Sequence, residues 1–396
     1  MKKGEIFCGK INKCLKNIDF FSFLKYNIIE IKHIGREKKM KFVHIADMHF
    51  DMPFTLLSNR ADLGEIRRVD QRRAFQKIIE YIKENQIPYL FIAGDFYEQE
   101  YIRESTINYI SNCIEQIPDT HIFITPGNHD PYLKNSYYKT FSWPKNVTIF
   151  GGQVEKIEMP ECDIYGFGFT DFECTNSEVE EISIENPEKI NILVTHANLD
   201  GSKVSPKSYH SLSSKKLEQL GFDYIALGHI HKSNLENKNQ KIVYPGSTIS
   251  MGFDELGKHG MVVGNITKEN IELEFIPIDE KEFEEKNVDI SEMNTLEELL
   301  EYFQTIFLEE NKYYKINLIG NRNFEINLYS LYKKIENKNI IKIKNKTNLK
   351  YSLEEMANDT TLKGIFVTEM LKKLKEENAD KEIIEKALEY GLDVLS

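Results

Sequence analysis

The chain has 396 residues, of which 41% are hydrophobic and 29% charged, which excludes disorder along the whole chain and fits two or three folded domains. Its net charge of -12 counts against a nucleic-acid partner unless local charge differs, because phosphate contacts need Lys and Arg. Five cysteines without a CxxC pair indicate neither a disulfide framework nor a thiolate zinc site, so a reducing cytoplasm is the expected location. Residues 20–34 are too polar and too short to span a membrane.

Residues 1–39 are rich in Lys and Asn and show no link to the strand predicted after them. One interpretation is that translation starts at Met40, because Gly35, Arg36 and Glu37 can be encoded by a purine-rich series that resembles a ribosome-binding site. The alternative is a genuine N-terminal helical extension. The intact mass of the protein from its native host would decide between the two.

Short strands alternate with amphipathic helices from residue 40 onward. Buried strands are predicted at residues 42–46, 89–93, 120–125, 190–195 and 224–227. The longest helix between them is predicted at residues 66–85, with Ile66, Val69, Phe75 and Ile78 on its apolar face. This alternation is typical of a layered α/β fold, expected here at residues 40–275.

A smaller module follows an acidic, extended stretch at residues 269–285. A strand at residues 313–318 and a helix at 329–336 predict a small α+β domain at residues 280–345. Residues 353–396 have helical periodicity and predict a C-terminal helical hairpin that turns near Asn378, with Ile383 on one apolar face.

Polar motifs stand where the predicted strands of the α/β domain end. They are Asp47-x-His49, Gly94-Asp95, Gly127-Asn128-His129-Asp130, Thr195-His196 and Gly228-His229-x-His231. Ligands collect beyond the carboxyl ends of strands in open α/β sheets, and the adjacent glycines let the backbone bend tightly there. Imidazole and carboxylate together suit Mn, Fe or Zn, whereas an all-oxygen set would suggest Mg or Ca. The sequence therefore predicts a transition-metal site.

In this order the motifs resemble those of the calcineurin-like metallophosphoesterase superfamily, over roughly residues 40–260. The resemblance implies a layered metallophosphoesterase sandwich of β-sheets flanked by helices, with the small module as a capping domain. It implies two divalent metal ions, with Mn preferred, which would stabilise both the attacking and leaving oxygens of an in-line displacement. One ion is expected on Asp47, His49, Asp95 and His231, and the other on Asp95, Asn128, His196 and His229. His129 would be the catalytic residue that protonates or steadies the leaving oxygen.

Three stretches, at residues 46–54, 123–130 and 244–247, are similar to SbcD/YhaO-type DNA repair exonucleases. This resemblance implies a Mn-dependent exonuclease that acts on DNA with a coiled-coil ATPase subunit docked on residues 353–396. The alternatives are a phosphodiesterase or phosphatase for a small nucleotide or phosphoprotein, and an ATPase-binding scaffold with secondary catalysis. Relatives are typically dimers, so a homodimer contact near residues 107–114 is a further hypothesis, unless those residues pack inward.

Several residues leave two interpretations open. Glu98 stands where nuclease relatives often have Asp, and it either orders the loop, or touches DNA or positions a water. Arg67 and its neighbours form a basic cluster that is either a phosphate-binding strip or a solvated helix face; its other members are Arg68, Arg72, Arg73 and Lys77. His44 and His121 are expected to be structural, and Asp130 is expected to orient a ligand.

Overall fold

The computed structural model describes residues 39–54, 63–175, 177–201, 210–335, 337–349, 353–376 and 380–395. Residues 1–38 of the predicted extension and the predicted turn near Asn378 lie outside this described part. The chain divides into two compact units, of which unit 1 ends at Glu282 and unit 2 begins at Phe283. The domain limits and roles predicted from the sequence stay predictions.

The five strands predicted for unit 1 begin and end close to their predicted positions, and the described residues of unit 1 contain further strands. Together the strands are β1 Met40–Ile45, β2 Tyr89–Ala93, β3 His121–Thr125, β4 Val147–Ile149, β5 Glu155–Glu158, β6 Cys162–Phe167, β7 Ile190–His196, β8 Asn198–Leu199, β9 Ser211–Leu212, β10 Tyr224–Gly228, β11 Ile242–Val243, β12 Gly260–Ile266 and β13 Ile271–Pro277. One sheet has the order β13-β12-β1-β2-β3-β4, and the second has the order β11-β10-β7-β6-β5. The strands β8 and β9 form a separate pair.

Both large sheets have parallel strands at their centres. In the first sheet β1, β2 and β3 run parallel, and in the second β6, β7 and β10 do so. The carboxyl ends of parallel strands lie at one edge of a sheet, so the loops that follow them are neighbours. This arrangement places the polar motifs side by side within each sheet.

One hydrophobic core joins the two sheets of unit 1. Phe42, Phe91 and Phe123 from the first sheet pack in the same cluster as Ile192 and Tyr224 from the second. The ring centroids of Phe42 and Tyr224 lie 4.6 Å apart. The buried apolar faces of the two sheets stabilise the layers against each other. The predicted layered α/β sandwich is therefore confirmed.

The helices of unit 1 are α1 Leu63–Asn85, α2 Glu104–Ile114, α3 Tyr137–Thr140 and α4 Ser214–Gln219. The face of α1 was predicted correctly at Phe75 and Ile78, which are buried, but wrongly at Ile66 and Val69, which are exposed. Arg67 and Gln71 are buried in their place, because both donate hydrogen bonds into the protein interior. Hydrogen bonding, and not hydrophobicity alone, therefore decides which side chains of α1 are buried.

The apolar residues of α2 pack inward. Ile107, Ile110 and Ile114 have no exposed surface, so this helix offers no apolar face for a homodimer contact. Among the described helices, none combines the length and hydrophobicity that crossing a membrane requires.

Unit 2 combines a small sheet with helices. Its elements are β14 Glu282–Asp289, α5 Leu296–Thr305, β15 Lys312–Ile319, β16 Asn321–Arg322, α6 Leu328–Lys334, β17 Ile340–Asn345, β18 Asn348–Leu349, α7 Leu353–Ala357, α8 Leu362–Leu374 and α9 Lys381–Val394. The main sheet has the order β14-β15-β17, and Leu299, Phe303 and Leu331 of the helices pack on Ile316.

The C-terminal helices of unit 2 have a hydrophobic cluster of their own. Val367 and Met370 of α8 pack with Leu388 and Leu392 of α9. Ile383, predicted on an apolar face, is 64% exposed. The outer surface of α8 and α9 therefore keeps apolar side chains in solvent.

Candidate metal centre

The strand ends of unit 1 bring potential metal ligands from both sheets to one place. Three overlapping groups have one donor atom per residue within 4.8 Å of one another; they are Asp47, His49 and His231, then His49, Asp95 and His129, then Asp47, Asp95 and His196. Asn128 and His229 lie beside them, because Asn128 Oδ1 is 3.1 Å from His196 Nε2 and the rings of His196 and His229 are 5.2 Å apart. The structure therefore brings together every residue predicted for the site.

The backbone at the site adopts conformations that ordinary side chains disfavour. Asp47, His49 and Asp95 have φ values of 50°, 48° and 50°, and His229 has a φ of 105°. Backbone hydrogen bonds hold the first two residues in place, from Asp47 N to Gly94 O at 3.1 Å and from His49 N to Asp95 O at 2.9 Å. Such strain persists only where the surrounding structure enforces it, and it concentrates at functional sites.

Two glycines are required by close packing here. A Cβ atom at Gly94, whose φ is +84°, would lie 2.3 Å from His196 Nδ1. A Cβ atom at Gly228 would lie 1.8 Å from the carbonyl oxygen of Ala93. The glycines of the motifs therefore allow the loops of the two sheets to approach each other.

The first side of the centre is formed by two histidines that each face a carboxylate. Nδ1 of His49 lies 2.7 Å from Glu98 Oε1, and Nδ1 of His231 lies 2.5 Å from Glu255 Oε1. A carboxylate accepts hydrogen bonds, so each Nδ1 carries the proton and each Nε2 keeps its lone pair. The two Nε2 atoms lie 3.2 Å apart. Two facing lone pairs at this distance fit a shared cation.

The second side is formed by His196, Asn128 and Asp95. Nδ1 of His196 donates to the carbonyl oxygen of Ala93 at 3.0 Å, which leaves the lone pair on Nε2. That Nε2 lies 3.1 Å from Asn128 Oδ1 and 3.3 Å from Asp95 Oδ2. Lone pairs of one nitrogen and two oxygens thus converge, a donor set that suits a divalent metal ion. Asp95 lies between the two sides, as the predicted bridging residue must.

The charges of the site favour cations. Burial alone would lower the pKa of His196, but Asp95 and Asp47 outweigh burial and raise it to about 9. For His231 burial is likewise outweighed, chiefly by Glu255, and the pKa rises to about 9. The carboxylates therefore attract protons onto these imidazoles, and a bound metal ion would take the place of those protons.

His129 differs from the ligand candidates because its side chain is 46% exposed. Its backbone N–H donates to Asp95 Oδ1 at 2.8 Å, and its Nδ1 lies 3.0 Å from Glu98 Oε2. Burial lowers the pKa of His129, but the hydrogen bond to Glu98 and the charge of Asp95 raise it to about 9. The position suits a proton donor at the mouth of the site.

Glu98 and Asp130 position other groups of the site. Of the alternatives for Glu98, the loop-ordering role is the one that its contacts fit, since one oxygen holds His49 and the other holds His129. Buried Asp130 accepts hydrogen bonds from the backbone N–H groups of Asp95, Phe96 and Gly127 and from the hydroxyl of Tyr138. Asp130 therefore fixes two ligand-bearing loops, in agreement with its predicted role.

Sequence reasoning missed two residues that support the ligands. Glu255, which holds His231, follows that histidine by 24 positions and belongs to no strand-end motif. His210 is buried, and its Nδ1 donates to the carbonyl oxygen of His196 at 2.7 Å. An isolated Glu or His gives no signal in one sequence, because its partner is set by the fold.

The basic cluster on α1 is largely structural. Arg67 is fully buried and pairs with Asp279 at 2.8 Å and with Asp70 at 3.0 Å. Arg72 donates to Thr106 at 2.8 Å, and Lys77 pairs with Glu280. The phosphate-strip interpretation is therefore wrong for Arg67, whose charge is already neutralised inside unit 1.

The remaining two histidines with predicted roles lie away from the centre. His44 is fully buried with its Nδ1 2.9 Å from the hydroxyl of Tyr224, and His121 stacks on Tyr89. Both contacts fit the expected structural roles.

Comparison with known proteins agrees with this geometry. The family described as calcineurin-like phosphoesterase matches residues 40–233, so the strand-end motifs lie in a region that is similar to that family. The chain is similar to a bacterial protein described as uncharacterized metallophosphoesterase YhaO, from Bacillus subtilis (strain 168). The two are 25% identical over 283 residues, which covers 69% of this chain and 69% of YhaO.

Two solved structures are similar to parts of this chain at low sequence identity. Purple acid phosphatase PPD1 from yellow lupin (Lupinus luteus) seeds is 13% identical with a TM-score of 0.39, and the match covers 61% of this chain and 52% of the lupin chain. This chain thus spans about half the length of the lupin protein. The protein TT1561 of Thermus thermophilus is 8% identical with a TM-score of 0.33, and the match covers 60% of this chain and 98% of TT1561.

Proposed function

We propose that this chain is a metal-dependent phosphodiesterase acting on DNA, a Mn-dependent exonuclease of DNA repair. The observation that carries the proposal is the arrangement of a half-exposed His129 beside buried donors from both sheets. The ions would be held by Asp47, His49, Asp95 and His231 and by Asp95, Asn128, His196 and His229. Bound divalent ions of this kind activate a water and neutralise charge on the phosphate.

The residues of the chain would contribute binding, orientation and proton transfer. Glu98 accepts a hydrogen bond from Nδ1 of His129, so the opposite nitrogen, Nε2, is the one free to protonate the leaving oxygen. Asp95 also fixes the backbone of His129 at 2.8 Å, which ties the proton donor to the bridging ligand. The position of His129 is therefore coupled to that of Asp95, the residue that would bridge the ions.

A basic strip in unit 2 supports a nucleic-acid substrate despite the net charge of the chain. Lys342 and Lys344 lie on the same face of β17, and Lys346 follows them in the alternating pattern. Lys315 of β15 lies opposite Lys342 in the strand pairing, and its charge is the main cause that lowers the pKa of Lys344. Such a strip suits contact with a phosphate backbone.

We also propose a coiled-coil ATPase as the partner of the C-terminal helices and a homodimer through a surface other than α2. The helices α8 and α9 expose the apolar side chains of Leu362, Ile365, Ile383, Tyr390 and Val394. Exposed apolar patches of this kind mark interaction sites. Among the described residues, Cys113, Cys162 and Cys174 form no disulfide, which supports the proposal of a cytoplasmic location.

The experiment that tests the function is cleavage of end-labelled single- and double-stranded DNA by purified protein with Mn or Mg. Asp95→Ala and His129→Ala are compared with the unchanged protein, and bis-p-nitrophenyl phosphate serves as a generic diester. We expect Mn-dependent release of nucleotides that both substitutions abolish. The DNA proposal would be refuted if the protein hydrolyses the small ester but leaves DNA intact, both alone and with the proposed coiled-coil ATPase added.

A small nucleotide is the second candidate substrate, and one observation favours it. Glu98, Glu100 and Glu173 line the cleft that contains His129, and their charges disfavour a phosphate chain there. The generic diester assay separates this candidate from the first.

A further inference from the structure

Two exposed aromatic side chains stand beside the metal centre. A cleft of about 370 Å³ is lined by Tyr101 and Phe172 together with Asn128 and His129. Tyr101 is 50% exposed and Phe172 is 41% exposed. Every other described Phe, Tyr and Trp of unit 1 is buried or half-buried. Within the described residues of unit 1, the solvent-exposed aromatic rings therefore lie in the cleft that contains His129.

The segments that carry the two rings are fixed to the loop that carries His129. The backbone N–H of Tyr101 donates to Glu98 O at 3.0 Å, and that of Gln99 donates to His129 O at 2.9 Å. On the other side Phe169, three residues before Phe172, donates its N–H to Pro126 O at 2.9 Å. The backbone near both rings is therefore anchored to the loop that carries His129.

The chemistry of the cleft selects an aromatic and uncharged group. Exposed rings bind the flat face of a nucleobase by stacking, which is tolerant of sequence because every base has such a face. Glu100 and Glu173 also line the cleft, so a phosphate that continued through it would meet negative charge. A cleft of this size falls within the range of ~300–1,000 Å³ that small-molecule sites occupy.

We propose that Tyr101 and Phe172 hold the terminal nucleobase of the strand being degraded, beside the scissile phosphate. The proposal rests on the proposed function and deepens it, because it names the part of the DNA that the cleft takes. The P–O bond that water breaks is the bond to the nucleoside in the cleft, and His129, which lines the same cleft, gives its proton to the oxygen that leaves with this nucleoside. Tyr101 and Phe172 are thereby specificity-determining residues that favour a strand end carrying a base.

The test compares short single-stranded oligonucleotides that carry either normal bases or abasic tetrahydrofuran residues at both ends. The ratio of kcat/KM for the two substrates is measured for the unchanged protein and for Tyr101→Leu, Phe172→Leu and Tyr101→Phe. Phe307→Leu, at an 81% exposed ring in unit 2, is the matched control. The ratio cancels any general loss of folded enzyme or bound metal.

We expect the unchanged protein to prefer the base-bearing ends by about tenfold, as one stacked base provides. Tyr101→Leu and Phe172→Leu should each bring the ratio close to one, while Tyr101→Phe and Phe307→Leu should keep it. An unchanged ratio in both leucine variants would overturn the proposed nucleobase binding by Tyr101 and Phe172, but it would not contradict the proposed action on DNA. If the unchanged protein degrades neither oligonucleotide but hydrolyses bis-p-nitrophenyl phosphate, the result contradicts both the proposed action on DNA and the nucleobase binding that rests on it.

Discussion

The two sides of the metal centre orient their histidines by different means. On the first side, the carboxylates of Glu98 and Glu255 accept hydrogen bonds from His49 and His231. On the second side, the backbone carbonyl of Ala93 accepts the hydrogen bond from His196. A supporting carboxylate can be removed by one isosteric substitution, whereas a carbonyl is placed by the fold itself. The first side is therefore tunable by point mutation, and the second changes only with the backbone.

The largest effect is expected from Gly94→Ala, which disturbs the side held by the backbone. The new Cβ would lie 2.3 Å from His196 Nδ1 at a φ of +84°, so either the imidazole or the strand end must move. We expect activity to fall by more than ~100-fold and stability by about 1–3 kcal/mol. Metal content, hydrolysis of the generic diester and urea unfolding measure these changes.

Gly252→Ala is the matched control for that substitution, because a Cβ at Gly252 meets nothing within 4 Å. It should behave like the unchanged protein in all three measurements. If Gly94→Ala does so as well, then the backbone does not hold His196 as described.

Glu98→Gln is expected to have the next largest effect, because it weakens two interactions with one change. Glu98 holds His49 at 2.7 Å and His129 at 3.0 Å. Loss of a residue that supports a metal ligand typically costs ~10–100-fold in affinity or activity. We expect a loss of kcat near the upper end of that range, which excess Mn does not restore because His129 is also released. Full recovery of kcat in excess Mn would show that Glu98 acts through the metal alone.

Glu255→Gln separates the two roles, since Glu255 contacts His231 and does not hold His129. We expect a metal affinity weakened by about tenfold and a kcat that returns to normal in excess Mn. Titration of activity with Mn measures both quantities. A kcat that stays low at saturating metal would contradict the inference that Glu255 acts only through His231, whereas Glu98 also positions His129.

The sequence predicted which side chains meet at the strand ends, because each of them follows an apolar strand. One local pattern thus marks both the strand and the polar residues at its end. Glu255 and His210 carry no such pattern, since their partners come from distant segments. The burial of Arg67 could not be predicted either, because it depends on a partner that is distant in the sequence. Its side chain looked like part of a charged helix face, but its partner Asp279 lies 212 positions away. Local periodicity thus predicts elements and motifs, while burial of a charge depends on pairing that only the fold establishes.

The smallest effect concerns a buried histidine that lacks a carboxylate. Burial lowers the pKa of His44 from 6.5 to about 3, so the folded protein keeps it neutral. The unfolded chain takes up the proton as the pH falls below about 6.5, and the stability that the neutral form contributes is lost between about pH 6.5 and 3. Between pH 7.5 and 5.5 we expect this group to cost about 1.4 kcal/mol of stability.

His44→Gln isolates this contribution, because the amide can still face the hydroxyl of Tyr224 but does not titrate in this range. Urea unfolding of both proteins at pH 7.5 and 5.5 gives the difference between their pH dependences, and the other histidines cancel. The unchanged protein should lose more stability on acidification than the variant. Equal losses would mean that His44 can be protonated inside the fold. The lack of a carboxylate beside His44 would then not explain why its pKa differs from those of His196 and His231, which carboxylates raise.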